Sequence, residues 1–179
     1  MTINNTNTPP SEKDLWATPQ WLYNWLNMIF QFDIDLAAIE SSAKHELWIG
    51  EGSDSEWIGD ENDSLAVEWS AFFDGGTGFL NPPYSDIKPW VNKAVEEQKK
   101  GFTTVMLIPT PNGEKIYKSI FDNASTIIYI NGRVSFIDAK GVAKGGNTRG
   151  SCVVIFGEAK GLKMRHVDRD MLIRSHSDG

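Results

Sequence analysis

The sequence predicts an α/β fold in which a mostly parallel sheet is closed by an antiparallel strand pair toward the C-terminus. Three observations carry this. Short apolar stretches alternate with segments of helical periodicity, the pattern of parallel strands joined by crossover helices. Thr103 to Ile108 is apolar almost throughout, as a strand buried on both faces should be. Two late apolar runs, Val134–Ile137 and Cys152–Phe156, bracket a glycine-rich segment, 138–150, as a long-looped hairpin would.

The elements follow in order. Thr18-Pro19 reads as a helix start, with Thr as N-cap and Pro at the first helical position. Trp21, Leu22, Trp25, Leu26 and Ile29 then recur at helical spacing to about Phe30. Phe32-Asp33-Ile34-Asp35-Leu36 alternates and predicts a short strand with its polar end at Asp35. Residues 40–77 are acidic, with Trp48, Trp57 and Trp69 as anchors, and the strand Gly78–Leu80 follows. Ser85 or Asp86 caps the next predicted helix. It has Pro89 in its first turn, an apolar stripe of Trp90, Val91, Ala94 and Val95, and Gly101 as its stop. After the Thr103–Ile108 strand come a helix over 113–123 and a strand over 126–130.

The chain has 179 residues, enough for one domain with a substantial core. A disordered leader over 1–12, a single domain over 13–158 and a basic polar tail over 159–179 are the expected divisions. The Asn/Thr/Pro-rich start has no apolar core and does not read as a signal peptide. No apolar run approaches the ~20 residues of a membrane span, so no membrane partner is expected. Cys152 is the sole cysteine, which excludes an internal disulfide and fits a reducing cytoplasm. Within Ser151-Cys152-Val153-Val154 it reads as a buried strand residue. His45, His166 and His176 lack metal-ligand spacing, and no metal site is expected.

A net charge of −7 by itself argues against a nucleic-acid partner, but its distribution does not. Residues 1–87 hold 15 acids against two bases, whereas residues 88–179 hold 15 bases against nine acids. Such a split permits a basic binding face on an acidic body.

The richest chemistry lies in Asn81-Pro82-Pro83-Tyr84, directly after Gly78-Phe79-Leu80. An amide oxygen accepts a hydrogen bond from an amino group, prolines leave nearby carbonyls free to accept, and a tyrosine ring stacks on a flat base. Together they form a rigid receptor for a planar NH2 group. Ligands of open α/β sheets bind at the carboxyl ends of strands, where both Asp35 and Asn81 are predicted to sit.

With these residues in view, the chain resembles the phage-type DNA N-6-adenine methyltransferases, the Dam-like family. The likeness runs from about Trp16 to Phe156 through ordered segments: Trp16-Ala17-Thr18-Pro19, Phe32 to Ala38, Asp63-Ser64-Leu65, Asn81 to Tyr84, Gly132 to Phe136, and Arg149-Gly150-Ser151. The resemblance implies a compact, Rossmann-like class I methyltransferase sheet, S-adenosylmethionine as methyl donor without a metal, and double-stranded DNA as partner. For a phage-encoded enzyme it implies the bacterial host cytoplasm as the location. It assigns catalysis to Asn81, Pro82, Pro83 and Tyr84. Cofactor binding falls to Trp16, Thr18, Pro19, Asp35 and Asp63, and substrate binding to Phe136, Arg133 and Arg149.

Other roles stand beside these. Asp63 equally suits a cap or turn, Phe136 a core position, and Arg133, Lys140, Lys144 and Arg149 a solvated loop. The glycine-rich turn usual after the first strand is replaced by Leu36-Ala37-Ala38, which leaves Asp33 open beside Asp35. RNA bases and protein glutamine also present planar NH2 groups, and a non-catalytic nucleic-acid-binding module is a third reading. Target sequence and oligomeric state stay open.

Overall fold

Six strands form one sheet in the order β1-β2-β3-β7-β4-β8, and two more form a separate ribbon. The structure, a computed structural model, describes residues 14–53, 63–111, 113, 115–145, 149–158 and 161–176. The expected leader and Trp57 lie outside these residues. The main strands are β1 (Ile34–Asp35), β2 (Thr77–Leu80), β3 (Thr103–Pro109), β4 (Thr126–Asn131), β7 (Ser151–Phe156) and β8 (Lys163–Asp168). Strands β1, β2 and β3 pair in parallel, as do β4 and β8, and β7 runs antiparallel between β3 and β4. The ribbon joins β5 (Phe136–Ile137) to β6 (Ala143–Lys144).

The hairpin expected between Val134–Ile137 and Cys152–Phe156 does not form. All six residues of β7 are buried. Cys152, Val154 and Phe156 enter one core, and Val153 and Ile155 the other. A strand apolar on both faces needs cover on both and neighbours at both edges, so it takes a central position. Residues 134–137 offer only Val134 and Phe136 to a core and pair instead within the ribbon.

Helices cover both faces. Alternation along β3 sends Met106 and Ile108 to the side of α3 (Lys88–Gln98) and α4 (Ile116–Asn123). It sends Val105 and Leu107 to the side of α1 (Gln20–Phe30) and α5 (Arg169–His176). The short α2 (Trp69–Phe72) packs Trp69 into the first core, where its indole N–H donates to the Ser64 carbonyl at 2.9 Å.

Helix boundaries shift from expectation at three points. The Pro19 carbonyl accepts from Leu22 and Tyr23, which makes Pro19 rather than Thr18 the N-cap of α1. On α1 the buried face is Leu22, Tyr23, Trp25 and Leu26, while Ile29 is exposed. Ile87 precedes α3 without a side-chain cap, and the Ser85 N–H donates to Asp14 Oδ1 at 3.2 Å. Gly101 ends the turn after α3 with φ +91°, as its position suggested.

The segment read as a basic tail folds onto the sheet. Strand β8 pairs along its whole length with β4, and Leu172 of α5 is buried beneath α1 in the second core. Buried Glu97 ties α3 to α2. Its carboxylate accepts from Lys93 Nζ at 2.9 Å and from the Ser70 N–H at 2.9 Å. Burial opposes its charge, yet these donors hold its carboxyl below the usual range.

Candidate active site

The parallel strands all end at one edge of the sheet, where β7 begins. Asp35, Asn81, Pro109 and the Asn131–Arg133 turn therefore share a side with Arg149–Ser151. This edge is the crevice in which open α/β sheets bind ligands.

Asn81 follows β2 and is pinned from one side only. Its Nδ2 donates to the Trp16 carbonyl at 3.4 Å, whereas its buried Oδ1 has no hydrogen-bond partner among the described residues. Pro82 is buried and Pro83 half-buried. A lone buried amide oxygen costs about 1–3 kcal/mol, a deficit that a bound N–H donor removes. Trp16 is held by its neighbour: Ala17 exchanges two backbone hydrogen bonds with Ile137 of β5, at 2.8 and 2.9 Å. The ribbon thus straps the N-terminal segment across Asn81.

The Tyr84 ring is half-buried, and its hydroxyl donates to the Leu107 carbonyl at 3.3 Å. Burial, with Cys152 and Tyr117 nearby, pushes this phenol well above its ordinary value, so it stays neutral. Phe136 meets Tyr84 edge-to-face at 5.8 Å between ring centroids and is itself buried in the second core. Phe136 therefore supports Tyr84 from the side.

Beside Asn81 lies a cavity of about 250 Å³. Its walls are the turn after β1 (Ala37, Ala38, Ile39, Ser42), Ile49-Gly50-Glu51, Asp63-Ser64, and Asn81, Pro83 and Trp90 under Asp14-Leu15. A smaller pocket of about 20 Å³ shares Asp14, Leu15, Ala37, Ser42 and Asn81, and adds Trp16, Thr18, Asp35 and Lys44. Asp35, at the end of β1, is 2% exposed and accepts from the N–H groups of Lys44 at 3.0 Å and Ala37 at 3.4 Å. Burial nonetheless raises its carboxyl to about 6. Thr18 is buried and its hydroxyl has no partner among the described residues, and Pro19 is buried beside it.

The sequence-predicted residues divide accordingly. Asn81, Pro83, Trp16, Thr18, Asp35 and Asp63 converge on the two cavities. Asp33 points elsewhere: its Oδ2 accepts from the Thr77 N–H at 2.8 Å, between β1 and β2. Asp63 lines the larger cavity, and its Oδ1 accepts from the Leu65 N–H at 2.9 Å as a turn residue's would. Arg133 and Arg149 are exposed at the strand-end edge, outside both cavities. Cys152 is fully buried, and burial pushes its thiol up to about 12, which leaves no thiolate for chemistry.

Lys44, Ser42, Gly50 and Glu51 were not anticipated. Gly50 had a readable signal, as a glycine directly after Ile49. Its φ is +151°, and a Cβ there would lie 1.8 Å from the Ala38 carbonyl oxygen. The absence of a side chain at Gly50 lets its segment pack directly on the Ala38 carbonyl of the turn after β1. Among the described residues, no group of three His, Cys, Asp or Glu side chains could hold a metal ion.

A mostly parallel sheet, with an amide acceptor unsatisfied among the described residues at a strand end beside a buried carboxylate, is consistent with a methyltransferase fold. The chain belongs to the DNA N-6-adenine-methyltransferase (Dam) family, whose model matches residues 5–177. It is 32% identical over 140 residues to the DNA N-6-adenine-methyltransferase of Haemophilus phage HP1 (strain HP1c1), covering 76% of this chain and 73% of that protein. It is 30% identical over 172 residues to the enzyme of the same description from Escherichia phage T1, covering 87% and 67%. No solved structure matches the chain.

Proposed function

We propose that the protein methylates the N6 amine of an adenine flipped out of double-stranded DNA, at a defined target site, with S-adenosylmethionine as donor. The observation that carries this is the unpartnered Asn81 Oδ1, buried at the end of β2 beside a cavity.

The residues present fit the donor. Asp35 offers a carboxylate to a cation, Thr18 a hydroxyl without a partner among the described residues, and Asp63 an acceptor for sugar hydroxyls at the rim. When bound, the donor supplies an electrophilic methyl group on a sulfonium.

The remaining work belongs to the chain. Asn81 Oδ1 and the Pro82 carbonyl accept the two N–H bonds of the adenine amine, which directs its lone pair toward the cavity. Tyr84 offers its ring face to the base, with its tilt fixed by the Leu107 carbonyl and the Phe136 edge. Pro82 and Pro83 stiffen the loop so that little ordering is needed on binding. The amine loses its proton after the methyl arrives, so positioning rather than a tuned base supplies the acceleration. Arg133 and Arg149, on the same edge, contact backbone phosphates. No helix among the described residues is long and apolar enough to cross a membrane.

The test is transfer of label from S-adenosylmethionine into duplex DNA, RNA or protein offered in parallel. Label in adenine N6 of duplex DNA is expected. Label confined to RNA or protein would overturn the substrate assignment.

A further inference from the structure

Arg169 opens α5 and lies beyond Phe156, past every segment that carries the resemblance. Its guanidinium nevertheless reaches back to the strand-end edge. Nη1 donates to the Arg133 carbonyl at 2.8 Å, while Nε and Nη2 donate to Asp170 Oδ1 at 2.8 and 2.5 Å. One planar fork thus grips a backbone oxygen on one side and a carboxylate on the other, which holds a long side chain in a single pose. The stem of that side chain packs against Gly132, where an added Cβ would meet Arg169 Cβ at 3.1 Å. The start of α5 is itself seated. Strands β4 and β8 pair through Asn131 and Asp168. Asp168 Oδ1 accepts the N–H groups of Asp170 at 2.9 Å and Met171 at 3.1 Å, and Leu172 is buried in the second core.

The turn on which Arg169 acts needs such a hold. Asn131 ends β4 and Val134 is buried, so the sheet fixes one end of the turn and the second core the other. Between them Gly132 and Arg133 are exposed. Gly132 has φ +97°, a conformation that glycine reaches easily but that costs entropy to keep. The Arg169 hydrogen bond falls on the residue directly after this glycine, where it removes the freedom that the sheet and the core leave.

We infer that Arg169 is a positioning residue for substrate binding: by clamping the Arg133 carbonyl it fixes the Gly132–Arg133 turn and with it the point from which Arg133 reaches duplex DNA. This rests on the phosphate contact of Arg133 proposed above. The fork of Arg169 is turned to Arg133 and Asp170, so the residue acts through Arg133 and not on the phosphates directly. Strand β8 and α5 are thereby part of the DNA-binding edge without touching DNA.

The experiment is a double-mutant cycle read by fluorescence anisotropy, with a short labelled duplex of mixed sequence titrated across a range of salt concentrations. Wild type, Arg133→Ala, Arg169→Ala, Arg169→Lys and the double Ala variant are compared, with thermal unfolding recorded for each. Arg133→Ala and Arg169→Ala should each weaken binding about tenfold and lower the slope of log affinity against log salt by about one. The double variant should lose no more than either single one, because both changes remove the same contact. Arg169→Lys, which keeps a donor for the Arg133 carbonyl, should restore part of the loss. Additive losses, with the slope down by about two in the double variant, would make Arg169 a phosphate contact in its own right and overturn the positioning role. A loss from only one of the two single variants would also overturn it; where that one is Arg133→Ala, Arg133 keeps its place on the phosphate path. No loss from either, or no duplex binding by the wild type, would overturn the phosphate reading and the role of Arg169 together.

Discussion

Replacing Asp35 with Asn should raise the stability of the ligand-free protein near neutral pH and abolish much of its donor binding. Burial lifts the Asp35 carboxyl from an ordinary 3.8 to about 6. The two backbone hydrogen bonds, from Lys44 and Ala37, and the Lys44 charge only partly oppose this. Tyr23 on α1 also feels the carboxylate, and its phenol is pushed up to about 12, mainly by burial. The sign is fixed by linkage. Between pH 4 and 6 the folded state holds the Asp35 proton more tightly than the unfolded chain does, so this residue removes stability as pH rises. The difference between 3.8 and 6 amounts to about 3 kcal/mol at pH 7, and almost none of it remains below pH 4. The Asn variant has no such titration, so the stability difference between variant and wild type should grow with pH by about 1.4 kcal/mol per unit in the middle of that range. Urea unfolding of both proteins from pH 4.5 to 7.5 measures it. A difference that stays flat with pH, or a variant that loses stability toward pH 7, would refute the reasoning that burial of an unpaired carboxylate is what strains this site.

Three further outcomes are expected. Asn81→Ala should lower single-turnover methylation about 10²- to 10³-fold and leave donor affinity nearly unchanged; normal turnover would remove Asn81 from the chemistry. Gly50→Ala places a Cβ on the Ala38 carbonyl at positive φ, so urea unfolding should report a loss of about 2–4 kcal/mol, and full stability would show that the β1 turn yields easily. Arg133→Ala and Arg149→Ala should each lower the slope of log affinity for duplex DNA against log salt by about one, with donor binding intact; an unchanged slope would place these side chains off the phosphate path.

Much of the fold was legible because periodicity reports burial. The α1 stripe and the Thr103–Ile108 run announced an amphipathic helix and a central strand, and both formed within a residue or two. What periodicity does not report is partnership. Cys152–Phe156 was readable as a buried strand, but its insertion between β3 and β4 depends on which edges remain free after the first three strands assemble. Strand β8 was unreadable for a related reason. Lys163 to His166 are exposed at a sheet edge, so no apolar alternation marks them, and charge is what keeps such an edge from pairing further.

The site divides along the same physical line. Asn81, Pro82, Pro83 and Tyr84 are adjacent in sequence, so residue types alone mark them out together as a candidate receptor for a planar amino group. The two cavities beside Asn81 are lined by residues far apart in sequence, Thr18, Asp35 and Lys44 in the smaller and Gly50 and Asp63 in the larger, which lie near one another because β1 ends where the Trp16–Thr18 strap and the Ile49–Glu51 segment pass it. Lys44 illustrates the difficulty. In sequence it is one of two bases among 15 acids in residues 1–87 and reads as an ordinary surface charge. In the fold its backbone N–H donates to Asp35, its charge acts on that carboxylate, and its Nζ reaches Gln20 Oε1 at 3.4 Å, so a residue that reads as surface charge lines the pocket beside Asn81.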